Sequence, residues 1–210
     1  MPNYKLHYFN WRGGCEGLRL LFHYAKVPFV DEKYEMDSFD NHRDAFPYKQ
    51  LPVLEVDDKR IAQSHTIMRY LSKEFNLDGK DKWETIKLDE LMELQHDFHN
   101  GIYDYYGTIF GYGEGTREDL KQTKLIPALE KFLPHFEKAL DRAGSGFYTK
   151  NGPSGFDFWM AELIEFMAKI DPDEFAKYPK LLAHVKKVHS LPELQEYLSS
   201  SERPPEFKLP

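Results

Sequence analysis

Apolar and polar residues alternate over Tyr4-Lys5-Leu6-His7-Tyr8-Phe9, the period-two pattern of a strand with one buried face. A polar, glycine-bearing stretch from Asn10 to Gly14 ends it. From Cys15 the period changes, with Leu18, Leu21, Phe22 and Ala25 at helical spacing and Pro28 as the stop. Residues 29–34 predict a second strand, and Ser38 stands where it would cap a short helix reaching about Phe46. Residues 53–56 and 60–62 flank Asp57-Asp58-Lys59, a hairpin signal. Ile67, Tyr70, Leu71 and Phe75 form the buried stripe of a helix that opens on Ser64. The order is βαβ, then α, then ββα. A helix joining the first two strands predicts that they are parallel, in a crossover unit.

Beyond Gly79 no strand pattern returns. Ile86, Leu91, Leu94, Phe98, Ile102, Tyr105 and Ile109 predict one helix from Trp83 to Phe110. Leu125, Leu129, Phe132, Phe136 and Leu140 mark another, and Phe156, Trp159, Met160, Leu163, Met167 and Ile170 a third. Leu181, Leu182, Val185 and Val188 mark a fourth, with a short last helix at Leu194, Tyr197 and Leu198. The expected architecture is therefore an α/β domain over 1–79 followed by an all-α helical domain over 80–210.

Composition narrows the function. The 210 residues are 15% aromatic, enough to build a core and to exclude a disordered chain. Lys+Arg number 28 against 35 Asp+Glu, a net charge of −7 with no basic run, which argues against nucleic-acid partners. No apolar run reaches the length of a membrane span, and the first 25 residues lack the pattern of a secretory leader. A single cysteine forbids an internal disulfide and fits a reducing compartment, so a cytoplasmic location is expected.

Several residues carry chemistry. Pro52 restricts Leu51 to an extended backbone whose polar groups are open to a ligand. Gln63-Ser64 at a helix start offers bare N–H groups to an anion. Tyr8 ends the first strand, at the edge where open α/β sheets collect ligands, and its phenol can donate to an anion. By position alone each has a plainer reading: a strand aromatic, a helix cap, an ordinary proline. Ser154-Gly155-Phe156-Asp157 has capping-box spacing and reads as structural. Cys15 stands near a helix N-terminus, where thiols gain reactivity, yet has no second cysteine for a redox cycle. His96 and His99 lack the partners of a zinc site, and no phosphate loop or serine-hydrolase elbow occurs.

Together, residues 2–10 and 49–57, Gln63-Ser64-His65-Thr66-Ile67-Met68-Arg69-Tyr70-Leu71 and Gly144-Ser145-Gly146-Phe147 resemble cytosolic glutathione S-transferases, of sigma-like class and nematode type. The resemblance covers nearly the whole chain. It implies a thioredoxin-like α/β N-terminal domain, an all-α C-terminal domain, a homodimer, and conjugation of reduced glutathione, a co-substrate, to hydrophobic electrophiles. Tyr8 would be the catalytic phenol on the glutathione sulfur. Leu51, with Pro52 cis, would bond the cysteinyl main chain, and Gln63 and Ser64 the γ-glutamyl carboxylate. Asp97 would reach the γ-glutamyl amine of the neighbouring subunit, Arg43 would face the glycyl carboxylate, and Gln50 would line the groove. Phe39 replaces a tryptophan whose indole contacts the glycyl end, so that bond is lost. Trp11, Gly14, Ile102, Tyr106, Phe110 and Phe207 would form the electrophile pocket. Gly14 replaces an arginine of vertebrate sigma enzymes, which opens the pocket mouth. Two other readings compete: a non-catalytic carrier of haem or lipids (or a crystallin-like structural protein), and a thiol redox enzyme using Cys15.

Overall fold

The computed structural model describes residues 2–111 and 113–206. Strand β1 (Tyr4–Phe9) is followed by helix α1 (Glu16–Ala25), strand β2 (Val30–Tyr34), the hairpin β3 (Val53–Val56) and β4 (Lys59–Ala62), and helix α2 (Ser64–Glu74). The sheet order is β2-β1-β3-β4, with β1 parallel to β2 and antiparallel to β3. The crossover predicted from the sequence is present. The β3–β4 turn is two residues long, with Asp57 at φ +52°, so Lys59 belongs to the strand rather than to the turn.

Alternation along β1 sends Tyr4, Leu6 and Tyr8 into the main core. Phe9 also touches a second cluster, Phe39, Phe46 and Val53, on the other face of the sheet. The segment covering that face is not the helix expected after Ser38. It is three 3-10 turns (Phe39–Asn41, Arg43–Ala45, Pro47–Lys49), and Ser38 makes no capping bond.

The helical part holds α3 (Lys82–Gly101), α4 (Tyr103–Phe110), α5 (Arg117–Leu120), α6 (Ile126–Ala143), α7 (Gly155–Ile170), α8 (Pro172–Phe175), α9 (Pro179–His189) and α10 (Gln195–Ser199). The predicted Trp83–Phe110 helix is broken at Ile102, whose φ −113° and ψ 6° leave the helical region. Helix α7 is the central pillar. At its start the capping box forms, Asp157 Oδ2 accepting from the Ser154 N–H at 2.7 Å. Two glycines let it approach the sheet domain. A Cβ on Gly17 would lie 2.9 Å from Trp159 Cα, and one on Gly155 would lie 1.8 Å from Ser72 Oγ. No helix among the described residues is long and apolar enough to cross a membrane.

Candidate active site

Beyond the carboxyl end of β1 the two parts enclose a cavity of about 480 Å³. One wall is Tyr8, the 11–14 loop, Leu51, Pro52 and the Gln63-Ser64-His65 start of α2. The other comes from α3, α4 and α7, including His99, Tyr106, Phe110, Trp159 and Phe166. Such a crevice at strand ends, between two packed units, is where α/β folds bind small molecules.

Tyr8 is 7% exposed, with its ring 6.3 Å from and stacked on that of Trp11. Its hydroxyl oxygen accepts from the Gly14 N–H at 3.2 Å. With that oxygen occupied as acceptor, its own proton is left for a partner in the cavity. Burial pushes the phenol well above its ordinary pKa, so at neutral pH it is a donor and not a phenolate.

The Leu51–Pro52 peptide is cis. Among the described residues neither the N–H nor the C=O of Leu51 has a hydrogen-bond partner. Gln63 has φ +72° and ψ 114°, a rare conformation for a residue with a side chain, of the kind that gathers at binding sites. It sets the start of α2, where Ser64 is the first helical residue and not a side-chain cap. The first-turn N–H groups and the positive end of the helix dipole are therefore open to an anion.

The other candidates separate. Trp11, Gly14, Tyr106 and Phe110 line the cavity with the Tyr8 wall. Ile102 does not: it is fully buried in the helical core at the α3–α4 break, and this corrects its placement in the pocket. Phe207 lies outside the described residues. Phe39 is buried 5.1 Å from the Phe9 ring and fills the second face of the sheet, not the cavity wall. Arg43 is exposed, its Nε donating to Asp40 Oδ1 at 2.9 Å and its Nη1 to the Lys49 carbonyl at 3.3 Å. Gln50 and Asp97 are exposed and off the cavity wall.

Cys15 is fully buried, and burial raises its thiol well above the ordinary range, the reverse of an activated cysteine. Glu162, Glu165 and His189 bring ligand-type atoms within 4.8 Å of one another. The Arg203 guanidinium already lies on them, Nη2 donating to Glu162 Oε1 at 3.1 Å, so the cluster is an ion-pair network.

Sequence reasoning missed the groups that hold the loop beside Tyr8. Arg19, fully buried, donates to the carbonyls of Trp11 (3.0 Å) and Phe9 (3.3 Å) and to Asp31 Oδ2 (3.0 Å). Glu16 beside it accepts from Arg203 Nε at 2.7 Å and from the Tyr197 hydroxyl at 3.2 Å. His65 was missed too. Burial beside Trp159 and the nearby His96 lower its pKa to about 4.

Residues 4–73 match the profile of the glutathione S-transferase N-terminal domain, and residues 96–201 that of the glutathione S-transferase C-terminal domain. The chain belongs to the glutathione S-transferase family. It is 34% identical over 203 residues to the Caenorhabditis elegans protein named probable glutathione S-transferase 5, covering 95% of this chain and 97% of that one. A crystal structure of a major nematode-specific transferase from C. elegans superimposes with a TM-score of 0.91 at 34% identity, over 96% of this chain and 98% of that chain. The monomeric Na-GST-3 of the hookworm Necator americanus gives 0.87 at 34% identity, over 93% and 96%. These are nematode proteins, and the family fold is the thioredoxin-like sheet domain followed by the helical domain described above.

Proposed function

We propose that this transferase joins reduced glutathione to small apolar electrophiles, with Tyr8 as its catalytic residue. The observation that carries the reading is the Tyr8 hydroxyl, proton available, on the wall shared by Leu51 and the open start of α2. A tripeptide laid along that wall would pair its cysteinyl main chain with Leu51 and set its γ-glutamyl carboxylate against the N–H groups at Gln63-Ser64. Its sulfur then falls to Tyr8. A free thiol has a pKa of about 8.5 and is mostly protonated at neutral pH, whereas the nucleophile is the thiolate. The thiol proton leaves to solvent, and a phenol donating to that sulfur stabilises the anion. The thiolate attacks the electrophilic carbon, a carbon–sulfur bond forms, and the leaving group departs with its electron pair. The aromatic wall of Trp11, Tyr106 and Phe110 suits an apolar electrophile.

Arg43 and Gln50 belong to this reading at the rim. To take the glycyl carboxylate, Arg43 gives up Asp40, while Phe39 offers no donor. Sigma-like class, a cytosolic location and a homodimer in which Asp97 serves the neighbouring site complete the proposal. Exposed Asp97 on α3 is compatible with that arrangement.

The test is retention on immobilised glutathione together with conjugation of a chromogenic aryl halide. Retention with turnover is expected. A protein that flows through and conjugates no electrophile overturns the reading, and a particle of one chain's mass in solution removes the basis for Asp97.

A further inference from the structure

A second, smaller cavity of about 180 Å³ opens where α2 ends, and it shares no lining residue with the large one. Gln63 and Ser64 line the large cavity from the start of α2, whereas Ser72 and Lys73 line the small one from its last turn. At about 1.5 Å of rise per residue the two ends stand about 13 Å apart. The floor of the small cavity is Met68, Leu88, Met92 and Phe156, all buried, from α2, α3 and α7. Its frame is fixed by the backbone. Asn76, at φ +58°, ends α2; the Leu77 N–H donates back to the Ser72 carbonyl at 2.7 Å, and the Leu77 carbonyl accepts from the Gly155 N–H at 3.0 Å.

Three polar groups of the lining are unused. Ser72 is 6% exposed, yet its hydroxyl makes no hydrogen bond among the described residues. Exposed Lys73 and half-buried Asp78 make no side-chain hydrogen bond or ion pair there either, with each other or with a neighbour. The other two charges of the lining cancel, because Arg69 Nε donates to Asp89 Oδ1 at 2.8 Å. What remains is one ammonium, one carboxylate and one hydroxyl around an apolar floor. Polar groups this far out of water are normally paired, and a bound molecule would supply the partner.

We propose that this cavity binds a free apolar α-amino acid, with its carboxylate on Lys73, its ammonium on Asp78 and its side chain on the floor of Met68, Leu88, Met92 and Phe156. The Ser72 hydroxyl can donate to the same carboxylate. Charge and size choose this class. A simple acid leaves Asp78 unused and a simple amine leaves Lys73 unused, whereas a zwitterion takes both. The space is smaller than a drug-sized pocket of about 300 Å³ and suits a side chain of leucine's size, to which two unbranched methionines can adapt. The site is separate from the glutathione reaction, and neither assignment depends on the other.

The experiment is isothermal titration of the full chain with L-leucine, N-acetyl-L-leucine, L-leucinamide and glycine. Saturable binding of leucine is expected. N-acetyl-leucine lacks the ammonium and leucinamide the carboxylate, so each should bind about two- to fivefold more weakly, the range for ion pairs near the surface. Glycine keeps both charges but buries no chain, which should weaken it about tenfold or more. Lys73→Gln and Asp78→Asn break no bond within the fold. The first should weaken leucine about two- to fivefold and leave it indifferent to amidation, and the second should do the same for acetylation. A merely structural effect would not sort the two analogues in that way. The proposal is overturned by a chain that does not bind leucine saturably, by equal affinity for leucine and both analogues, or by variants that bind leucine as the wild type does. Leucine seated in the large cavity would give the last of these results, since neither Lys73 nor Asp78 lines it.

Discussion

Replacing Tyr8 by phenylalanine removes one hydroxyl and little else. The ring keeps its contacts with Phe9 and Trp11, and the Gly14 N–H that loses its acceptor belongs to an exposed residue where water replaces it. On the proposed mechanism, what disappears is one hydrogen bond to a sulfur anion. A bond of that charged kind contributes about 1.5–3 kcal/mol, which at about 1.4 kcal/mol per pKa unit is roughly one to two units on the bound thiol. The wild-type thiol should then titrate near 6.5–7.5, against a free value of about 8.5, and the variant's should move back toward the free value. The sign follows from the anion being the stabilised form. Below the wild-type pKa the variant should be about 10- to 100-fold slower, and the gap should close above about pH 9, where both thiols are ionised. The assay is kcat/KM for a chromogenic aryl halide across pH, with glutathione affinity measured alongside and expected to change little. A rate deficit of constant size across the whole profile, or an inflection that stays in place, would refute the argument.

Two further outcomes test the scaffold. Asp157→Asn should destabilise the protein by about 3–5 kcal/mol in urea unfolding, because the fully buried carboxylate accepts from the N–H of Ser154 (2.7 Å) and of Tyr148 (2.9 Å) and lies 2.8 Å from His184 Nε2; an unmoved midpoint rules that out. His65, at about 4 when folded and about 6.5 when unfolded, binds its proton first in the unfolded chain, so stability is flat above about pH 6.5 and falls as pH drops toward 4, by up to about 3 kcal/mol. His65→Gln should soften that acid loss, and a melting temperature with the same pH slope as wild type would count against the assignment.

What could be read from the chain was whatever local periodicity dictates. The alternation in β1, the stripes of α1, α2, α6, α7 and α9 and the Ser154–Asp157 box follow from neighbours in sequence, and each is present. The helix break at Ile102 was hidden because apolar residues keep their three-to-four spacing straight through it, and the kink changes direction without changing the period. The 39–49 segment failed for another reason. Phe39 and Phe46 are both buried against Val53, and three short turns place them there where the one helix that Ser38 would have capped was expected. Tyr8, Leu51 and Ser64 were legible as a group only through the family resemblance, since each has a commoner structural role. Arg19 and Glu16 read as ordinary charges three apart on a helix. Their partner Arg203 lies 187 residues from Glu16, and no local pattern reaches that far.

That hidden network explains why the phenol is aimed before any ligand arrives. The 10–14 loop must bring the Gly14 N–H to the Tyr8 oxygen, and it passes so close that a Cβ on Gly13, at φ +44°, would lie 2.8 Å from the Trp11 ring and 2.9 Å from the Tyr8 hydroxyl. The loop's own 3-10 turn over Gly13–Cys15, with the Cys15 N–H on the Arg12 carbonyl at 3.3 Å, holds part of that path. Arg19 holds the rest, by bonding the carbonyls of Phe9 and Trp11 on either side of the bend, and it is itself fixed by Asp31 and by a Glu16 that Arg203 clamps. An exposed pair would contribute little here, but these groups are nearly or fully out of water, where an ion pair is costly to form and costlier to break. The loop geometry is therefore set by folding. On the proposed mechanism, a hydrogen bond that needs no rearrangement when charge appears on the sulfur is the arrangement in which a single phenol stabilises that charge most.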